Sequence, residues 1–126
     1  ASIYDRLREM GKDFVTGLYM GRHGKNLPCV FNTIDPPNRK TCINWAKALE
    51  PIEGCGFGCV LIRTDILKDV YARYETCFRP VPKFGEDIAF CSRALERGYD
   101  IWQANNVLVG HIAQCIVHPR EDKTML

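Results

Sequence analysis

The sequence contains no apolar run that approaches the roughly 20 residues of a membrane-spanning helix. It has no large excess of one charge, because 17 lysines and arginines face 15 acids and give a formal net charge of +2. A nucleic-acid-binding domain usually carries a clustered basic stripe, so this balance argues against one. No secretory signal, internal repeat or low-complexity tract is visible. We therefore expect one domain over residues 1–126.

The seven cysteines are odd in number and irregularly spaced, and no Cys-x-x-Cys pair is present. Cys55 and Cys59 lie four residues apart, but no second pair completes a zinc site. Several of the others lie in apolar runs, where a free thiol packs as a small hydrophobic side chain. The pattern predicts a reducing compartment, the cytoplasm, and leaves one adventitious disulfide open.

Two adjacent acids stand where a loop becomes a helix. The loop ends in Gly85, and Glu86 and Asp87 open an amphipathic helix that Gly98 ends. Acids in a first helical turn stabilise the helix by about 0.3–1 kcal/mol each, so a purely structural role is one interpretation. A carboxylate held at such a junction can also serve as a general base.

Helix and strand patterns alternate along the rest of the chain, as is typical of an α/β protein. Further helices are predicted at residues 2–10, with Ser2 as N-cap, and at residues 65–74, with Thr64 as N-cap. Strands are predicted at residues 13–20, 27–31, 57–63, 99–103 and 107–112, with a turn at residues 21–26, another at 105–106 and an edge strand at 116–118. Residues 43–49 fit a strand or a short helix, and a strand is favoured.

Three glycines, Gly54, Gly56 and Gly58, alternate before a predicted strand. Bare backbone allows another molecule to approach closely, although a tight turn into a buried strand requires the same residues. This is not a dinucleotide-binding motif, because no helix follows it to hold a pyrophosphate. His111 lies in an apolar strand pattern, where a histidine by itself is more often part of the core than a ligand.

Four segments together resemble the C-terminal half of GT-A-fold glycosyltransferases of the family 2 type. They are residues 54–63, 84–94, 98–102 and 107–111, and the likeness spans about residues 3–112. The resemblance implies an α/β domain in which helices flank a mixed sheet. It also implies that Gly54, Gly56 and Gly58 line the acceptor side. The same resemblance makes Asp87 the catalytic base, gives Glu86 a part in positioning the acceptor, and makes His111 a ligand of a divalent metal, Mn²⁺ or Mg²⁺.

One family motif is missing, because the sequence has no Asp-x-Asp to bridge the metal and the donor diphosphate. The chain also begins about where the family's N-terminal half would end. We therefore expect residues 1–126 to be a partial GT-A domain without the nucleotide-binding half. His111 would be the sole remaining metal ligand, so this chain alone should bind metal and nucleotide sugar poorly.

The implied function is transfer of a sugar from a nucleotide-sugar donor to the hydroxyl of a carbohydrate or other acceptor, with inversion favoured over retention. A non-catalytic domain that keeps this scaffold and binds a partner or carbohydrate is an alternative. A metal hydrolase that uses Glu86, Asp87 and His111 is a weaker one, because no second cluster completes its site. A GT-A sheet that lacks the strands of its N-terminal half exposes an unpaired edge strand. We therefore also expect the chain to self-associate.

Overall fold

The computed structural model describes residues 1–21, 27–36 and 39–112. Its helices are α1 (Ile3–Glu9), α2 (Thr64–Tyr74) and α3 (Glu86–Glu96). Its strands are β1 (Phe14–Leu18), β2 (Val30–Phe31), β3 (Leu49–Ile52), β4 (Gly54–Cys55), β5 (Val60–Ile62) and β6 (Ile101–Leu108). In these ranges no helix is long and apolar enough to cross a membrane.

Four strands form a mixed sheet in the order β3-β6-β1-β5. β1 runs parallel to β6 and antiparallel to β5, and β3 runs antiparallel to β6. β2 and β4 pair separately as an antiparallel ribbon. The predicted α/β class with a mixed sheet is therefore confirmed. β3 and β5 are the outer strands within the described residues, and self-association through such an edge stays a prediction.

β1 lies at the centre of the molecule, and all five of its residues are buried. On one face, Phe14 and Leu18 pack in a core cluster that also contains Phe90 of α3. On the other face, Val15 packs with Leu7 of α1. A strand covered on both faces need not alternate apolar and polar residues, and Phe14–Leu18 shows no such alternation.

The helix caps agree with the sequence patterns at α1 and α3. The backbone N–H of Asp5 donates to Ser2 Oγ at 3.1 Å. α3 begins after Gly85 and ends at Glu96. Arg97 is its C-cap, and the next residue, Gly98, has a φ of +87°, the left-handed conformation that glycine adopts readily. α2 differs by one residue: the cap position is Arg63 and Thr64 already belongs to the helix, so the predicted Thr64 cap is wrong.

The strand predictions were wrong in several places. Residues 43–48 form a loop, and the strand comes after them at Leu49–Ile52, where Pro51 is tolerated because β3 is an outer strand. The strands expected at residues 27–31 and 57–63 are shorter in the structure, where they comprise only Val30–Phe31 and Val60–Ile62. Residues 22–26 of the predicted turn at 21–26 and the predicted edge strand at 116–118 lie outside the described residues.

The predicted turn at Asn105 and Asn106 is instead the middle of β6. Here β6 bulges away from β1, since Gly17 pairs with Ala104 and Leu18 with Leu108. The buried side-chain amide of Asn105 lies within 3.0 Å of the carbonyl oxygens of Asn44 and Lys47 and of the Glu50 carboxylate. These partners, distant in the sequence, satisfy the hydrogen-bonding groups of Asn105, a residue whose sequence context is typical of a turn.

The six cysteines of the described part are free thiols.

Candidate functional site

A cleft of about 840 Å³ lies between the β2–β4 ribbon, the start of α3 and the residues that follow β1 and β6. Its volume falls in the range of small-molecule sites. Because β1 and β6 are parallel neighbours, the segments after their carboxyl ends, which carry Tyr19 and His111, meet at one edge of the sheet. Ligands commonly bind at this edge of α/β sheets.

Four of the six residues predicted for the site line this cleft, namely Gly56, Gly58, Asp87 and His111. Glu86 is exposed and is not among the lining residues, although it is the neighbour of Asp87. Gly54 is buried, and a Cβ there would lie 2.7 Å from Ile34 Cγ2. Gly54 therefore serves close packing, and the structure does not bring it or Glu86 to the cleft.

Asp87 is half-buried in the first turn of α3. Its Oδ1 accepts a hydrogen bond from the backbone N–H of Ile88 at 2.8 Å. The buried side chain of Ile88 holds this turn against the core. Burial, and secondly the negative charge of Asp87, raise the pKa of the Cys29 thiol, another residue of the cleft wall. The carboxylate is thus fixed by its helix and still reaches the cleft.

His111 follows β6 rather than lying in a strand as predicted. Its Nδ1 lies 2.6 Å from the carbonyl oxygen of Met20, which can only accept, so Nδ1 carries the proton of this contact. Its ring packs edge-on against Tyr19, with the ring centroids 5.3 Å apart. These two contacts fix the orientation of the imidazole.

Tyr19, which sequence reasoning missed, connects the predicted residues. The backbone N–H of Gly58 donates to Tyr19 Oη at 2.8 Å. A Cβ added at Gly56 would lie 2.4 Å from Tyr19 Oη, and one at Gly58 would lie 2.6 Å from Tyr19 Cζ. The space left by the missing side chains is therefore filled by the phenol ring, which explains why both positions are glycine. Burial raises the pKa of Tyr19 above its usual value, a shift that the Gly58 N–H opposes and the charge of Asp87 supports.

Replacement of Gly58 by Ala is expected to destabilise the protein by about 1–3 kcal/mol, because the new methyl group overlaps the buried ring of Tyr19 and displaces it from its hydrogen bond with the Gly58 N–H. Urea unfolding measures this loss. The double variant Tyr19→Ala, Gly58→Ala removes the overlap, so the two losses should not add. Gly110→Ala is the matched control, because no atom lies within 4 Å of its added Cβ. Equal losses at Gly58 and Gly110 would contradict the packing role of Gly58.

The described residues do not form a complete metal site. No group of three or more His, Cys, Asp and Glu residues among them is arranged to hold a metal ion. Asp87 and His111 share the cleft, but Mn²⁺ and Mg²⁺ require about six ligands, mostly oxygen. The two residues by themselves therefore do not fit either ion.

No protein-family model matches this chain, and no curated protein matches it either.

Proposed function

We propose that this chain is the acceptor-side part of a GT-A-fold glycosyltransferase, in which Asp87 is the general base. One observation carries this proposal: Gly56, Gly58, Asp87 and His111 are far apart in the sequence, yet they line one cleft. The mixed sheet, with the cleft at the carboxyl ends of β1 and β6, supports the assignment to the GT-A fold.

The reaction assigned to Asp87 is a direct displacement. The carboxylate takes the proton of an acceptor hydroxyl while that oxygen bonds to the anomeric carbon of the donor sugar. The bond from the anomeric carbon to the diphosphate oxygen breaks, and the diphosphate leaves with the electron pair. Attack from the opposite face inverts the anomeric centre. Asp87 lies in the first turn of α3, at the positive end of the helix dipole, a position that acids commonly occupy.

No step of this transfer is assigned to a metal, because the described residues do not fit Mn²⁺ or Mg²⁺. His111 is proposed as a single metal ligand, and its fixed ring orientation supports this role. The remaining ligands would be oxygen atoms supplied by the nucleotide-binding half of such an enzyme.

The isolated chain is expected to bind UDP-sugars and GDP-sugars more weakly than about 1 mM, even with Mn²⁺ present. The reason is that the sequence has no Asp-x-Asp to bridge the metal and the diphosphate. Isothermal titration calorimetry with each nucleotide sugar and Mn²⁺ measures the affinity. Micromolar binding would show that the donor site is present in this chain.

The proposed function is tested with the protein that contains this chain and its Asp87→Asn variant. Release of nucleoside diphosphate from a panel of nucleotide sugars is followed with and without candidate acceptors. Acceptor-dependent release that requires Asp87 is the expected result. If no donor and acceptor pair gives any, the proposed activity is wrong, and the non-catalytic binding domain becomes the better interpretation.

A further inference from the structure

Two cations stand in the cleft wall next to Asp87, and neither forms an ion pair with a carboxylate in the part of the chain that the structure describes. The guanidinium of Arg39 lies over the ring of Phe31 at 5.1 Å and over that of Phe84 at 5.9 Å. Phe84 directly follows Lys83, so Arg39 and Lys83 belong to the same wall. Lys83 comes four residues before Asp87, at the entry to α3.

Arg39 is exposed and lies against two aromatic rings, and most of its hydrogen-bond donors have no acceptor among the described residues. Its Nε lies 3.5 Å from the carbonyl oxygen of Ile34, and its two terminal amino groups have no acceptor among the described residues. Stacking on two aromatic rings restricts a side chain that would otherwise lose entropy on binding. The planar guanidinium presents paired donors that match phosphate and carboxylate oxygens.

Tyr19 adds a third unused donor from the floor of the cleft. Its side chain is buried, with 7% of the residue exposed, and its oxygen already accepts the Gly58 N–H. The hydroxyl hydrogen has no acceptor among the residues described, and the cleft is the space that this side chain lines. Burial raises the pKa of Tyr19, so the hydroxyl keeps its proton at neutral pH.

Two further polar side chains of the wall differ from these donors. The Thr41 hydroxyl donates to the carbonyl oxygen of Val30 at 2.9 Å, and Asp87 is the one carboxylate that the described residues place in the cleft lining. The described part of the wall therefore offers a ligand two cationic donors, one phenol donor and one carboxylate. A ligand that complements them offers an anionic group to the donors and a hydroxyl to Asp87.

We propose that the acceptor bound in this cleft is an anionic alcohol, a sugar or related compound that carries a phosphate or carboxylate held by Arg39 and Lys83. Tyr19 donates to an oxygen of the same molecule, and the reacting hydroxyl faces Asp87. This inference rests on the proposed function, because only in a sugar transfer is the molecule bound beside Asp87 an acceptor. The donor diphosphate is also an anion and is the other group that these cations would bind. We assign them to the acceptor because they lie in the same cleft wall as Asp87, the proposed base for the acceptor hydroxyl.

The test is isothermal titration calorimetry of the chain with four probes. They are glucose 6-phosphate, glucuronate, methyl glucoside as the neutral parent, and uridine diphosphate. The phosphate and the uronate are expected to bind at least about tenfold more tightly than the neutral parent. Arg39→Gln and Lys83→Gln should each weaken that binding about tenfold, as expected for loss of one charge-assisted contact. Tyr19→Phe should weaken it by a smaller factor.

Two matched controls remove the same charge elsewhere. Arg73→Gln replaces an arginine that also lies over an aromatic ring, Tyr74, at 4.9 Å, and it lies on α2 away from the cleft. Lys68→Gln replaces an exposed lysine of the same helix. Both should leave binding of glucose 6-phosphate unchanged. Far-ultraviolet circular dichroism of each variant checks that it is folded.

Four binding results would overturn the inference. Equal binding of the neutral and anionic sugars would show that the charge is not recognised, and so would binding that Arg39→Gln and Lys83→Gln do not weaken. Binding of uridine diphosphate alone, lost in the same two variants, would assign the cations to the donor. Absence of binding by all four probes would also exclude the site.

The proposed function can fail separately. Asp87→Asn should keep or strengthen the binding of glucose 6-phosphate, because it removes a nearby negative charge. If the sugar phosphate binds through Arg39 but no Asp87-dependent transfer occurs, the enzyme assignment fails and the anion site remains. If transfer to neutral acceptors proceeds unchanged in Arg39→Gln, the enzyme assignment remains and the anionic acceptor is excluded.

Discussion

The Asp87→Asn variant is expected to transfer sugar about 100- to 10,000-fold more slowly than the unchanged protein, the usual loss when a general base is removed. Asparagine has nearly the same shape as aspartate, but its amide cannot take the proton of the acceptor hydroxyl. The kcat for transfer should fall, while the KM for the donor stays within a few fold, because Asp87 is assigned to the acceptor side. Initial rates over a range of donor concentrations measure both.

The matched control is Asp65→Asn. Asp65 also lies in the first turn of a helix, α2, and it is exposed in an ion pair with Arg63 at 2.7 Å. Its replacement removes the same charge from the same kind of position, and an exposed ion pair contributes little to stability. The rate should therefore not change. If transfer by Asp87→Asn stays within a few fold, Asp87 is not the base.

The start of α3 could be predicted from sequence because its signals are local. The glycines at both ends, the acids of the first turn and the apolar face all lie within residues 85–98. The same holds for Ser2, whose hydrogen-bond partner Asp5 lies one turn away. Local patterns therefore placed Asp87 correctly at the junction of loop and helix.

Tyr19 could not be predicted, because its role depends on contacts with Gly56 and Gly58, nearly forty residues further along the chain. The alternating glycines were noticed, and the close approach that they permit was attributed to a ligand. In the structure the ring of Tyr19 takes that space. A large aromatic residue just after a buried strand gives no sequence signal that pairs it with distant glycines.

Asn105 shows the same limit in the fold. Asparagine pairs are typical of turns, and the local pattern could not reveal that carbonyl oxygens of the loop before β3 and the Glu50 carboxylate of β3 surround this amide. Long-range polar contacts of this kind override local preference. The fold class followed from the alternation of elements, while the bulge in β6 and the strand at Leu49–Ile52 depended on the tertiary structure.

The Phe90→Ala variant is expected to lose about 3–5 kcal/mol of stability, the usual cost of truncating a buried phenylalanine. Phe90 is fully buried on α3, three residues after Asp87. Its ring packs against Phe14, Phe57 and Phe78, with ring centroids 5.3 to 5.8 Å apart. Since a domain of this size is stable by only about 5–15 kcal/mol, the loss is a large fraction of the total. The unfolding midpoint should fall by about 10–20 °C.

Two variants separate the loss of packing from the loss of an aromatic ring. Phe90→Leu keeps most of the buried volume and should lose less than half as much stability as Phe90→Ala. Tyr71→Ala truncates an aromatic residue that is 61% exposed on α2, and its free energy of unfolding should change by less than about 0.5 kcal/mol. Thermal unfolding followed by circular dichroism measures all three. Equal losses at Phe90 and Tyr71 would show that the aromatic cluster does not hold α3, and with it Asp87, against β1.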